Sequence, residues 1–151
     1  MAKLKVGDKF PDLKGETVDG EIGIKDFQGK NIVVYFYPKD NTPGCTKEAK
    51  DFRDYKEKFG KLDTEIVGIS TDSTKSHKKF MEKYDINFPL MSDKNKILCS
   101  ACGVTGITGK TAKRTTFLLD KNGIIKHIWE KVDVKGHAEN VMKKIKELDM
   151  Q

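Results

Sequence analysis

The run Asn31-Ile-Val-Val-Tyr-Phe-Tyr37 constrains the fold most. Six of its seven residues are β-branched or aromatic, and none is charged. A half-exposed strand would alternate, whereas a continuous run of this length suits a strand covered on both faces. Such a strand needs neighbours on either side and a packed layer above and below. The stretch EIVGIST at 65–71 reads as a second strand of the same kind. Between the two, Ala49, Phe52, Tyr55 and Phe59 recur at spacings of three and four among charged residues, which predicts an amphipathic helix over 45–59. Two buried strands joined by a helix make a crossover unit, and the chain is of the α/β class.

A second helix is expected over 73–86, with Phe80, Met81 and Tyr84 inward and Asp72 or Ser73 as its N-cap. FPLMS at 88–92 reads as a short strand, and the segment 93–103 as a short helix stopped by Gly103. The segments 115–120 and 124–130 form an antiparallel pair whose Asn122-Gly123 step suits a tight turn. A final amphipathic helix over 136–149 carries Val141, Ile145 and Leu148. Upstream, Gly15, Gly20, Gly23 and Gly29 among short apolar pairs suggest a small hairpin before the core. No repeat or linker divides the chain, so 1–151 reads as one domain. The order of elements resembles the thioredoxin fold, a central mixed sheet with flanking helices, here with an N-terminal β-hairpin extension.

At 151 residues the chain can bury a core without disulfide or metal staples. Its three cysteines, Cys45, Cys99 and Cys102, are an odd number and do not make a secreted disulfide framework. No apolar run approaches the ~20 residues of a membrane span. The opening residues 1–10 lack the apolar stretch of a signal peptide, so a cytoplasmic location is expected. The net charge of +6 comes from lysines spread along the chain among Asp and Glu, which argues against a nucleic-acid-binding surface. Only two of the 29 basic residues are arginines, Arg53 and Arg114. Any planar, permanently charged fork must come from one of them.

The stretch PKDNTPGCT at 38–46 joins the first strand to the first helix. Thr42 is an N-cap candidate and Pro43 suits the first helical position, which places Cys45 near the third. There the free N–H groups and the positive end of the helix dipole favour a thiolate. Cys45, Ala49, Phe52 and Phe59 share one stripe, so the sulfur faces the interior. These observations leave two readings open, an inert packed thiol and an activated nucleophile.

Pro38, Thr42 and Cys45, followed by Thr46 and Glu48, resemble the active-site motif of the peroxiredoxins. The resemblance continues through VGISTD at 67–72, FPLMSD at 88–93 and RTTFLLDKNGIIKHIW at 114–129, and is closest to the bacterioferritin comigratory protein (PrxQ) subgroup. It implies a thiol-dependent peroxidase that reduces hydrogen peroxide and organic hydroperoxides with no metal or organic cofactor. By the same resemblance Cys45 would be the peroxidatic cysteine, converted to a sulfenic acid. Thr42 would hydrogen-bond the peroxide, Arg114 would stabilise the thiolate and the lengthening O–O bond, and Pro38 would shield the site from water. For Glu48 a solvated helix position and a site-organising role are both open. The implied reductant is a thioredoxin-like dithiol, and the expected state is a monomer or weak homodimer.

Many members of the subgroup carry a second cysteine five residues after the first, where this chain has Lys50. The expectation is that Cys99 or Cys102 resolves Cys45, the other taking over the bond by exchange, or that an external thiol does so. A disulfide needs Cα atoms within roughly 7 Å, so the first turn would unwind unless the thiols already lie that close. The competing reading makes the CxxC pair Cys99 and Cys102 a thiol-disulfide oxidoreductase centre, with Cys45 structural. Against it, the pair does not follow the first central strand; simple packing of two small residues is also open. A zinc site would need ligands that the spacing of His77, His127 and His137 does not supply.

Overall fold

A computed structural model describes residues 4–148 and 150. Its strands are β1 (Lys14–Thr17), β2 (Gly20–Gly23), β3 (Asn31–Phe36), β4 (Thr64–Ser70), β5 (Leu90–Ser92), β6 (Thr115–Leu119) and β7 (Ile125–Trp129). Its helices are α1 (Pro43–Lys61), α2 (Thr74–Tyr84), α3 (Ile97–Cys102) and α4 (His137–Glu147). All strands join one sheet in the order β2-β1-β5-β4-β3-β6-β7. Every residue of β3 is buried, as its composition demands, and it lies between β4 in parallel and β6 in antiparallel. The helices α1 and α2 carry the chain over from β3 to β4 and from β4 to β5, giving the mixed sheet of a thioredoxin-like fold. The expected N-terminal hairpin is β1–β2, attached to β5 through the pair Glu16 and Ser92.

Alternation along β3 divides the core into two layers. Val33 and Tyr35 point to the layer built with Phe52 and Phe59 of α1, Phe80 of α2 and Val141 and Ile145 of α4. Ile32, Val34 and Phe36 point to the other, with Phe10, Leu13, Ile24, Phe117 and Leu98 of α3. Close packing at the middle of the sheet needs Gly68: a Cβ there would lie 2.7 Å from Leu90 and 3.0 Å from the Tyr35 ring.

Of the two expected N-caps of α2 one forms, the β6–β7 turn has one left-handed residue, and one residue expected inward is partly exposed. Ser73 is the N-cap of α2, accepting from the Ser76 N–H at 3.1 Å, and the inward stripe of that helix includes the fully buried His77 as well as Phe80. The β6–β7 connection is a loop in which only Gly123 is left-handed (φ 77). Asp120 Oδ1 closes that turn by accepting from the N–H groups of Asn122 and Ile124 at 2.9 and 3.0 Å, and the two strands pair antiparallel as expected. Leu148, expected to face the core, is the C-cap of α4 and is 38% exposed, while Asp149 lies outside the described residues. No helix among the described residues is long and apolar enough to cross a membrane; residues 1–3 of the opening stretch lie outside them.

Candidate active site

Beyond β3 the chain turns at Asn41, whose φ of 65 is left-handed, and enters α1 with Thr42 as N-cap and Pro43 at its first position. The Thr42 side chain does not cap the helix. Its hydroxyl donates to the Lys39 carbonyl at 2.8 Å, and the first helical bond runs from the Thr46 N–H to the Thr42 carbonyl. Among the described residues the N–H groups of Gly44 and Cys45 have no acceptor. They are the orphan donors of a helix start, held beside a sulfur. Cys45 stands at the third helical position, 1% exposed, with Ala49, Phe52 and Phe59 buried along the same stripe.

Arg114 reaches this sulfur because it precedes β6, and β6 pairs with β3, setting Thr115 opposite Phe36. Its Nη2 donates to Cys45 Sγ at 3.4 Å and its Nη1 to Glu48 Oε1 at 2.8 Å. One guanidinium plane therefore spans the thiol and a carboxyl group. The approach depends on Gly44, where a Cβ would lie 3.1 Å from Arg114 Nη2. Glu48 is 1% exposed, so the solvated reading of this residue is replaced by the site-organising one. Burial pushes its carboxyl up to about 7 against the opposing pull of Arg114. Burial also works against the Arg114 charge, but Glu48 and Cys45 outweigh it and hold the guanidinium protonated.

Behind Glu48 lies a second buried polar residue that the sequence did not mark. Glu48 Oε2 has no hydrogen-bond partner and stands 4.0 Å from His137 Nε2. His137 Nε2 shares a 2.8 Å hydrogen bond with Thr116 Oγ1, and its ring packs edge-on against Phe52 at 5.8 Å and Trp129 at 5.6 Å. Burial, helped by Arg114, lowers His137 to about 4, which keeps it neutral near pH 7. A sequence signal existed for Glu48, three residues after Cys45 on the same helical face. None existed for Gly44 or His137, whose roles depend on β3–β6 pairing and α4 docking.

The fold brings Pro38, Thr42, Cys45, Glu48 and Arg114 to one end of β3 and its following helix; Pro38 is half-buried at the start of the loop. It does not bring Cys99 or Cys102 there. All three cysteines are free. Cys99 and Cys102 sit in the other core layer, with the fully buried strands of the sheet between them and Cys45. The Asp93 carboxylate accepts from the Leu98 and Cys99 N–H groups at 2.9 and 2.8 Å. Burial and then Asp93 push the Cys102 thiol up to about 12 and the Cys99 thiol higher still. Lys50, where a second cysteine would stand, is exposed with its ammonium 5.9 Å from the centre of the Tyr84 ring.

The model of the AhpC/TSA family matches residues 6–128. A putative peroxiredoxin bcp of Coxiella burnetii is 42% identical over 146 residues, covering 92% of this chain and 97% of its own. Peroxiredoxin Bcp of Bacillus subtilis is 42% identical over 152 residues, covering 96% of this chain and 97% of its own. Among solved structures, a cysteine-to-serine variant of Xylella fastidiosa PrxQ superposes with a TM-score of 0.92 at 32% identity, over 99% of each chain. The bacterioferritin comigratory protein of Xanthomonas campestris, studied for alkyl peroxide reduction through trapped intermediate and ligand complexes, gives a TM-score of 0.84 at 38% identity over 90% of this chain and 91% of its own. The match runs through the Cys45 helix and the Arg114 strand alike, and the chain belongs to the AhpC/TSA family, in the Bcp/PrxQ group of peroxiredoxins, which are thiol-dependent peroxidases.

Proposed function

We propose that Cys45 carries the peroxidase reaction, framed by Arg114 and the first turn of α1, and that a thiol of another molecule resolves it. The observation that supports this most is the 3.4 Å contact from Arg114 Nη2 to a sulfur that is otherwise enclosed. The Cys45 thiolate attacks the terminal oxygen of a hydroperoxide. An S–O bond forms as the O–O bond breaks, and the electron pair leaves on the departing oxygen, which takes a proton to become water or an alcohol. Negative charge thus moves from sulfur to oxygen within reach of Arg114 Nη2 and of the open N–H groups of Gly44 and Cys45. Glu48 fixes the guanidinium plane through its other nitrogen. The Thr42 hydroxyl gives its hydrogen to Lys39, which leaves an oxygen lone pair to accept from the peroxide O–H. Pro38 screens the pocket from water.

The sulfenic acid then reacts with a donor thiol, forming a mixed disulfide and releasing water. A second donor thiol displaces Cys45 as a thiol and leaves with the disulfide, the chemistry of a thioredoxin-like dithiol. Support for an external donor comes from Lys50 and from the placement of Cys99 and Cys102, which lie in the other core layer with thiols pushed far from ionisation. A reducing compartment such as the cytoplasm would keep all three cysteines free. The proposed state is a monomer or weak homodimer. Mass spectrometry of protein treated with one equivalent of peroxide tests the scheme. The expected product carries one oxygen on Cys45, or a mixed disulfide of Cys45 with an added small thiol. A Cys45–Cys99 or Cys45–Cys102 bond overturns external resolution, and an oxidised Cys99–Cys102 pair beside untouched Cys45 overturns the assignment to Cys45.

A further inference from the structure

Outside the Cys45 cluster, buried ionisable groups concentrate against the loop 37–42 that leads into α1. Asp40, in the middle of this loop, is 5% exposed. Its Oδ1 accepts from the Tyr37 hydroxyl at 2.7 Å, and its Oδ2 accepts from Ser76 Oγ at 2.8 Å and faces His77 Nδ1 at 2.7 Å. Its backbone N–H donates to Asp72 Oδ2 at 2.8 Å, and Asp72 Oδ2 is held in turn by Ser70 Oγ at 2.7 Å. His77 is fully buried on α2, with Nε2 3.1 Å from the Met91 carbonyl in β5. A carbonyl only accepts, so Nε2 donates to it, which fixes the ring with Nδ1 turned towards Asp40. The ligand atoms of Asp40, Asp72 and His77 lie within 4.8 Å of one another, and each serves these internal hydrogen bonds. The cluster is a knot, and it ties the loop to β4, α2 and β5, none of which supplies a group to the sulfur.

Cys45 is 1% exposed, so a thiol on another protein can reach its sulfenic acid only if this loop and the first turn of α1 move. Within the loop the Thr42 hydroxyl holds the Lys39 carbonyl, and the Tyr37 hydroxyl also stands 3.5 Å from His77 Nδ1. We infer that Asp40 and His77 are positioning residues for the peroxidase reaction: their contact latches the loop closed for attack on peroxide and sets how readily it opens to the reducing thiol. The inference rests on the external-thiol reading above. A closed loop favours the first half-reaction and delays the second. Weakening the latch moves the two rates in opposite directions, which a general loss of stability does not do.

Two substitutions at one position separate latch from packing. His77→Asn keeps a donor near the Nδ1 position facing Asp40, whereas His77→Gln keeps one near Nε2 facing Met91 and abandons Asp40. In His77→Gln, hydrogen exchange at residues 39–46 rises at least roughly tenfold while exchange in β3 and β4 does not. Oxidation of Cys45 by peroxide slows by about tenfold, reduction of its sulfenic acid by a protein dithiol quickens, and less sulfinic acid accumulates at a given peroxide concentration. His77→Asn stays near the unsubstituted protein in all four. Should His77→Gln not fold, Ser76→Ala, which removes one donor to Asp40 Oδ2, gives the same directions with several-fold smaller size. The inference is overturned if both half-reactions slow together, or if exchange at 39–46 changes only with global unfolding. The mass of the once-oxidised unsubstituted chain tests the external thiol separately, so the two ideas can fail independently.

Discussion

Cys45 and Cys99 lie on opposite faces of one sheet, each near the start of a helix and each with a charged side chain against it. They are 1% and 0% exposed, so burial does not distinguish them. The two helix starts differ in what has claimed their N–H groups. At α1 the Thr42 side chain turns away to Lys39, two N–H groups stay open, and the neighbouring charge is the cation of Arg114. At α3 the Asp93 carboxylate takes the N–H groups of Leu98 and Cys99 and puts an anion beside the thiols. The open N–H groups and the cation at α1 suit a bound anion, whereas at α3 a carboxylate already fills that place.

The largest test of this contrast is removal of the sulfurs. Cys45→Ser should lower peroxide consumption with a dithiol reductant by at least about 10³-fold, to background, while the double variant Cys99→Ser/Cys102→Ser stays within about twofold. Equal losses in the two would mean that the faces cooperate. Arg114→Lys keeps the charge but not the fork, and stopped-flow oxidation of Cys45 should slow by about 10²-fold. Glu48 adds a pH signature to the active face alone. Its folded value of about 7 lies above the ordinary 4.5, so its contribution to stability is full below pH 4.5 and is lost as pH rises through about 7. The loss amounts to about 3 kcal/mol at most, and denaturant unfolding of Glu48→Gln across this range should lack it. Smallest is Asp93→Asn, which keeps a capping side chain without the charge. The pH dependence of Cys99 alkylation should shift downward while Cys45 oxidation is unchanged; an unshifted profile would mean that burial alone silences this thiol.

The central strands were legible because β3 and β4 are continuous apolar runs, and α1 because its stripe recurs at helical spacing. Cys45, Thr42 and Arg114 were legible as a motif, yet the contact that matters joins residues 69 apart and depends on the order of β3 and β6. Glu48 stayed ambiguous because a carboxylate on a helix face is solvated unless a partner comes from elsewhere, and Arg114 is that partner. For Cys99 and Cys102 the sequence placed both on a short helix but could not show which face of the sheet that helix covers. His77 completes the inward spacing with Phe80 and Tyr84 on α2, a pattern that passes unnoticed when only apolar residues are counted.

The chain has a single tryptophan, and Trp129 packs edge-on to His137. From that indole a path to the Cys45 sulfur runs through His137, Glu48 and Arg114, each within 4.0 Å of the next polar group. The indole is the one tryptophan emitter in the chain. Rearrangement of this path when Cys45 is oxidised should therefore change the Trp129 emission, which stopped-flow fluorescence with one equivalent of peroxide checks; an unchanged emission would mean that the path stays fixed.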